Sequence, residues 1–259
     1  MANHAKLSAS ASHRWFACPG SIRLSEGIEQ TTSIYAEEGT KAHDIAAAIL
    51  EGRDYELPEG LVVLPIREYV EYVNSIPYDI RLIEHKFDLS SIYPGMFGTS
   101  DCTIYQKDKK HLHVIDLKFG KGVFVHAKDN PQLLYYALGA FNEIKKPIDI
   151  VSMTIVQPRF KSEEKIRTHS ISSIELFDWS IDLIEAAKKT EDKNSPLVKG
   201  RHCQFCPAKP TCPEFTKSKL EEAISDFSSF QKEISPVQSD NAISFLDYLE
   251  AARHGSDNN

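Results

Sequence analysis

His113-Val114-Ile115-Asp116-Leu117-Lys118-Phe119-Gly120 reads as a β-strand, because apolar and β-branched residues follow a lysine-rich turn and a glycine closes the run. Two polar residues, Asp116 and Lys118, interrupt it. Side chains alternate across a strand, so residues two apart share a face. A carboxylate and an ammonium at the end of a largely apolar strand are costly to bury. Holding a metal ion beside a water to be activated is a purpose that accounts for both. The strand is therefore expected to carry half of a metal-dependent catalytic site.

The neighbouring segments place this strand in a fold. Residues 81–89 and 98–106 read as two earlier strands, and the short turns at Ser90 to Gly95 and Lys107 to Lys110 make the three an antiparallel meander. Asn130-Pro131 opens a helix over 131–143 with an apolar set of Leu133, Leu134, Ala137, Leu138 and Phe141. Residues 149–157 are an almost unbroken apolar run, as expected of a central strand covered on both faces. An edge strand over 165–171 and an amphipathic helix over 172–190, opened by Ser172 or Ser173, follow. Upstream, a short helix ends at Cys18-Pro19-Gly20. A longer one spans 35–51, with Glu37 and Glu38 in its first turn and Ala42, Ile45, Ala46 and Ile49 as its apolar stripe. A further helix covers 62–75, with Pro65 in its first turn. The order α-β-β-β-α-β implies an α/β (α+β) protein with a mixed central β-sheet flanked by helices.

A chain of 259 residues with 41% hydrophobic and 26% charged residues has the composition of a globular protein with a full core. No apolar run approaches membrane-spanning length, and Met1 to Ser12 lacks a signal-peptide core, so a cytoplasmic protein without a membrane partner is expected. The net charge of −7 is unevenly spread. From Leu220 onward there are eight acids and two bases, leaving residues 1–219 nearly neutral with 28 bases and 29 acids. The expected organisation is one domain over 1–219 and an acidic helical tail over 220–259. Such a body leaves room for a basic surface despite the overall sign.

Several other residues carry chemistry. Gly98-Thr99-Ser100-Asp101 puts a second carboxylate on the strand beside Asp116, and two carboxylates suit a hard cation such as Mg²⁺. His43 lies beside the apolar stripe of its helix. Gln132 and Tyr136 are four apart on a helix and share a face. Glu84, in the preceding strand, is read as structural, with an approach to the metal as the alternative. Cys102 is read as a buried free thiol. Cys203, Cys206 and Cys212 fall in a proline-rich stretch over 193–215 that cannot bury a core alone and needs a staple. With Cys18 they make four cysteines suited to metal ligation rather than disulfides.

Together, a helix histidine, a Gly-x-x-Asp strand, an Asp-x-Lys strand and a Gln-x-x-x-Tyr helix resemble the RecB-type exonuclease branch of the PD-(D/E)xK nuclease superfamily. The resemblance spans roughly residues 7–215. It implies a restriction-endonuclease-like core in which His43, Asp101, Asp116 and the Leu117 carbonyl hold Mg²⁺ or Mn²⁺. It also implies that Asp101, Asp116 and Lys118 form the catalytic set, with Lys118 beside the attacking water, and that Gln132 and Tyr136 contact DNA. Cys18 with Cys203, Cys206 and Cys212 resembles the iron–sulfur staple of AddB-like and CRISPR-adaptation nucleases, which implies a [4Fe-4S] cluster closing the domain. The N-terminal Leu-Ser-Ala-Ser stretch and the Gly-Lys-Gly after Asp-Leu-Lys look like a phage and prophage branch of the same group. The implied function is a metal-dependent DNA exonuclease processing free ends in recombination or repair, with a recombinase or single-strand-binding protein as a partner for the tail. Structural zinc at the cysteines, a non-catalytic DNA-end-binding adaptor and a structure-specific endonuclease are the alternatives.

Overall fold

A computed structural model describes residues 5–28, 33–161 and 164–233. The chain divides into two compact units after Cys212. The first holds a five-stranded sheet in the order β1-β2-β3-β4-β5. Its strands are β1 (Ile80–Asp88), β2 (Phe97–Gln106), β3 (His111–Leu117), β4 (Ile150–Val156) and β5 (Ile166–Ser172). β1 to β3 form the expected antiparallel meander, β3 and β4 are parallel, and β5 returns antiparallel at the edge. Among the described residues, five of the six α-helices of this unit bear on the site or its frame: α1 (Ser12–Ala17), α3 (Ile34–Glu51), α4 (Leu64–Asn74), α5 (Pro131–Ile144) and α6 (Ser173–Glu191). The sixth, α2 (Gly20–Leu24), continues the turn after α1.

Local chemistry sets these boundaries. Ser33 caps α3 by accepting the Ala36 N–H, and Gly52 at φ 68° ends it in a left-handed conformation. Asn130 accepts the N–H groups of Gln132 and Leu133 while Pro131 supplies a preset first turn to α5. Ser172 and Glu175 form a capping box at α6.

Two cores sandwich the sheet. Ala42, Ile45, Ala46 and Leu50 of α3 and Ile66, Tyr69, Val70 and Val73 of α4 pack on Cys102, Ile104, Ile115 and Leu117. On the other face α5 and α6 join Trp15 and cover Leu112, Val114, Val151, Met153 and Ile155. With both faces covered, β3 and β4 read as apolar runs. The alanines on α3 let that helix lie close to the sheet, which brings His43 to its end. Of the expected acidic tail, α7 (Pro213–Glu233) is described as a helix with Leu220 and Ile224 exposed, and residues 234–259 lie outside the described residues. Among the described residues no helix is long and apolar enough to cross a membrane.

Candidate active site

The site is built by strand register. The β1–β2 pairs Ile83–Cys102 and His85–Ser100 flank Glu84 and Asp101, which therefore stand opposite one another. One step beyond the last β2–β3 pair, Cys102–Ile115, Asp101 faces Asp116. Three carboxylates thus lie in one row across three strands, at the point where β2 parts from β3. The Asp101 side chain takes over the ladder there, with Oδ2 accepting the Leu117 N–H at 2.7 Å.

The backbone is distorted at this row. Glu84 has φ 44°, a left-handed conformation that residues other than glycine rarely adopt. The alternation of faces reverses across it: Ile83 packs with α3 and α4, whereas Phe87, four residues on, packs with α5. β2 reverses at the same place, since Cys102 faces α3 and α4 while a Cβ on Gly98 would meet Tyr136 and Tyr135 of α5. The reversal turns the Glu84 and Asp101 carboxylates toward His43. His43 Nδ1 is 3.3 Å from Asp101 Oδ1 and 3.7 Å from Glu84 Oε1. Among the described residues these three form the group whose ligand atoms converge within 4.8 Å.

The second half of the site comes from Asp116. Its side chain is 2% exposed, and Lys118 Nζ stands 2.8 Å from Oδ2. That contact is an ion pair without hydrogen-bond alignment, and Oδ1 has no donor at all. Lys118 donates instead to Gln132 Oε1 at 2.9 Å, and Gln132 Nε2 donates to the Tyr136 hydroxyl at 3.0 Å. His43, Glu84, Asp101, Asp116, Lys118, Gln132 and Tyr136 line one open cleft of about 420 Å³.

Electrostatics follow from this crowding. Burial pushes the Asp116 carboxyl up to about 6, with Asp101 adding to the rise and Lys118 opposing it. Burial works against a charged His43, but the Asp101 carboxylate, with Glu84 and Asp116, outweighs it and raises the imidazole well above its ordinary value. Asp101 is held low against its own burial, chiefly by His43. Burial and the two aspartates keep Tyr136 a neutral phenol. A proton shared among closely packed acids is what a divalent cation displaces. A buried carboxylate oxygen with no donor, beside an imidazole and two further carboxylates, fits a hard divalent ion.

The expected residues are thus gathered in one place, with adjustments. β3 ends at Leu117, so Lys118 and Phe119 lie past the strand, although the Lys118 N–H still pairs with Val156 O at 2.8 Å. The Leu117 side chain is buried in the core, and its N–H holds Asp101. Glu84, read from the sequence as structural, belongs to the convergent group. Tyr69 was not singled out from the sequence, where it is one more apolar position of α4. Its buried hydroxyl has no partner and lies in a small gap shared with His43, Glu84 and Asp101.

All five cysteines are free thiols, and Cys102 is buried in the core as expected. Cys18 ends α1, and its Sγ accepts the Val198 N–H at 3.3 Å. Cys203 Sγ lies 4.0 Å from the Val198 carbonyl and accepts the Gly200 N–H at 3.5 Å. Burial, with the neighbouring Cys203 and Cys206 thiols, raises the Cys18 thiol. Successive turns link Cys206 to Cys203, Lys209 to Cys206 and Cys212 to Lys209. The approach is close: a Cβ on Gly20 would meet the Ser195 carbonyl oxygen at 2.7 Å.

The first unit thus presents a mixed sheet with a carboxylate-rich cleft and a lysine beside it. The chain belongs to the family described as "Protein of unknown function (DUF2800)", whose model matches residues 4–60 and 62–252. Among solved structures it is similar to an alkaline exonuclease (LHK-Exo) from Laribacter hongkongensis, at 13% identity and a TM-score of 0.30, covering 69% of this chain and 94% of that one. A likeness of that size bears no weight in assigning a function.

Proposed function

We propose that the protein is a divalent-metal-dependent DNA exonuclease. The observation that carries this reading is Asp116: a buried carboxylate with an open oxygen, in a row with Asp101 and Glu84, flanked by His43 on one side and Lys118 on the other. His43, Glu84, Asp101 and Asp116 would hold Mg²⁺ or Mn²⁺, with the Leu117 carbonyl as a further candidate. The bound ion supplies a water of lowered pKa and charge for the phosphate. Asp101, Asp116 and Lys118 form the proposed catalytic set. The Lys118 ammonium, tied to Gln132, places positive charge where negative charge grows on the attacked phosphate. Gln132 and Tyr136 offer an amide and a phenol on the same wall of the cleft to the DNA backbone.

Cys18, Cys203, Cys206 and Cys212 would hold a [4Fe-4S] cluster. Soft thiolate donors and backbone N–H groups aimed at the Cys18 and Cys203 sulfurs support a metal there. Iron and acid-labile sulfide in protein handled without oxygen are expected; stoichiometric zinc in a colourless protein would assign the site to zinc instead.

The deciding experiment incubates end-labelled linear single- and double-stranded DNA with the full chain and Mg²⁺ or Mn²⁺, beside Asp116→Ala, Lys118→Ala and Glu84→Ala. Wild type should degrade linear DNA and spare covalently closed circles. Asp116→Ala and Lys118→Ala should each lose about 100- to 1,000-fold, the scale of deleting a principal electrostatic group. Glu84→Ala should need more metal for half-maximal rate. A wild type as inert as Asp116→Ala that still binds DNA ends would make the protein an adaptor, and cleavage of circles would make it an endonuclease.

A further inference from the structure

The segment between Lys118 and Pro131 contains neither helix nor strand, yet it is held along its length. At its root Phe119 is 3% exposed, with the Arg159 guanidinium 4.3 Å above its ring and Arg159 paired to Glu38 of α3 at 2.8 Å. In its middle the Gln157 amide, 1% exposed, uses both ends. Nε2 donates to the carbonyls of Gly120 at 3.1 Å and Val123 at 2.7 Å, while Oε1 accepts from Val125 N at 3.4 Å and Arg167 Nη2 at 2.7 Å. Arg167 donates further to Val125 O at 2.8 Å and Glu164 O at 2.6 Å, and lies over Phe124 at 4.2 Å. At the far end Asn130 Nδ2 donates to His126 O at 2.8 Å while its Oδ1 caps α5.

These are unusual investments for a connection. Long segments without regular structure inside a compact unit tend to be functional. Gln157, the residue after β4, and Arg167 of β5 bury polar groups and a charge, and most of their side-chain hydrogen bonds go to this loop or to each other. Arg167 sits beneath the loop with the Glu164 carboxylate as a charged neighbour. Outward, the loop exposes Lys121, His126 and Lys128 with Asp129 as its one acid. Both stems are wall residues of the cleft, Lys118 and Gln132, joined at 2.9 Å. Lys121 is three residues from one stem and Lys128 four from the other, so roughly 10–14 Å of chain at most separates each from the cleft.

We propose that this loop is a preformed lip that grips the phosphodiester backbone next to the scissile bond, with Lys121 and Lys128 contacting phosphates and Gln157 and Arg167 as positioning residues. The proposal rests on the nucleic-acid reading of the cleft. A lip already shaped before substrate arrives avoids the ordering cost a slack loop would incur on binding.

Binding of fluorescent single-stranded and duplex DNA to the full chain, with Ca²⁺ in place of Mg²⁺, tests it as a function of salt. Each lost phosphate contact lowers the slope of log Kd against log salt by about 0.7 on single strands and about 0.9 on duplex. The Lys121→Ala/Lys128→Ala protein should therefore lose about 1.4 or about 1.8 of slope. Lys107→Ala/Lys109→Ala, an equal charge change at the turn beyond the opposite end of β3, should lose none. Gln157→Leu should weaken binding and flatten the slope although both lysines remain, a shift that loss of stability alone does not produce. A wild type that binds DNA while the Lys121/Lys128 variant keeps its slope, or the control loses as much, overturns the lip and leaves the nuclease reading intact. A wild type that neither binds nor cleaves DNA overturns the nuclease reading itself, and the lip with it.

Discussion

Asp116→Asn exchanges one carboxylate oxygen for an amide at the most deeply buried acid of the cleft, whose side chain is 2% exposed. Folding raises its pKa from 3.8 to about 6, burial first and Asp101 second, against the pull of Lys118 and His43. The folded protein thus binds this proton more tightly than the unfolded chain. Its contribution to stability is highest below pH 4, falls as pH rises through the interval from 3.8 to about 6, and stays low above it. About two pKa units at ~1.4 kcal/mol each make a cost of about 3 kcal/mol at pH 7.5. Asparagine has no charge to desolvate and avoids that cost. Lys118 loses its partner but is 26% exposed and keeps Gln132, which takes back under ~1 kcal/mol. The metal-free variant should therefore be about 2 kcal/mol more stable than wild type while losing activity. Urea unfolding in EDTA reads this directly. The gap should shrink below ~1 kcal/mol at pH 4, where the wild-type carboxyl also carries its proton. Mg²⁺ should raise the wild-type midpoint and leave the variant's nearly unchanged. A variant less stable than wild type in EDTA, or a gap that ignores pH, would refute the reasoning.

Two further outcomes test the frame around the site. Burial pushes His113 down to about 4, with His111 adding to the effect, so this imidazole is neutral in the fold, bonded to Thr154 Oγ1 at 2.7 Å. The unfolded chain takes up the proton first, so stability present above pH 6.5 is lost as pH falls toward 4, by about 3 kcal/mol in all; His113→Gln should flatten that loss in urea titrations, and an unchanged pH slope would contradict it. Gly139→Ala gains helix propensity, yet its new Cβ would sit 2.6 Å from Phe87 Cβ and 2.9 Å from Leu89 Cδ1. Overpacking should win, costing about 1–3 kcal/mol by thermal unfolding, and a variant as stable as wild type would show that β1 yields to α5 more easily than this packing implies.

The meander, the central β4 and the capped helices were legible because each is encoded locally, by alternation, by a short link or by a Ser or Asn ahead of an apolar stripe. Asp101 and Asp116 were legible as neighbours for the same reason: a four-residue turn between two strands fixes their register within narrow limits. Glu84 was not. Its place in the site depends on a left-handed backbone and on a reversal of faces in two strands at once, neither of which a period-two pattern encodes. The shape of the loop after Lys118 was not legible, since the groups that hold it, Gln157 and Arg167, follow it by some 30 to 40 residues. Tyr69 was hidden because one hydroxyl on an apolar stripe has no signature in sequence.

The contact between Cys18 and Val198 sets an order on biosynthesis. α1 leaves the ribosome before α5, α6 and the turns of Cys203 and Cys206 that pack against it, the last of them more than 180 residues on. Trp15, which is 0% exposed in the finished fold, can enter its core only once β3, β4, α5 and α6 have been made. At roughly 5–20 residues per second the N-terminus waits on the order of ten seconds or more. The strands that line the cleft are complete well before that interval ends. A chain stalled before Val198 therefore carries Asp101, Asp116 and Lys118 without the later turns that close on Cys18, and any cluster shared by Cys18 and those turns can be loaded only after they have been made.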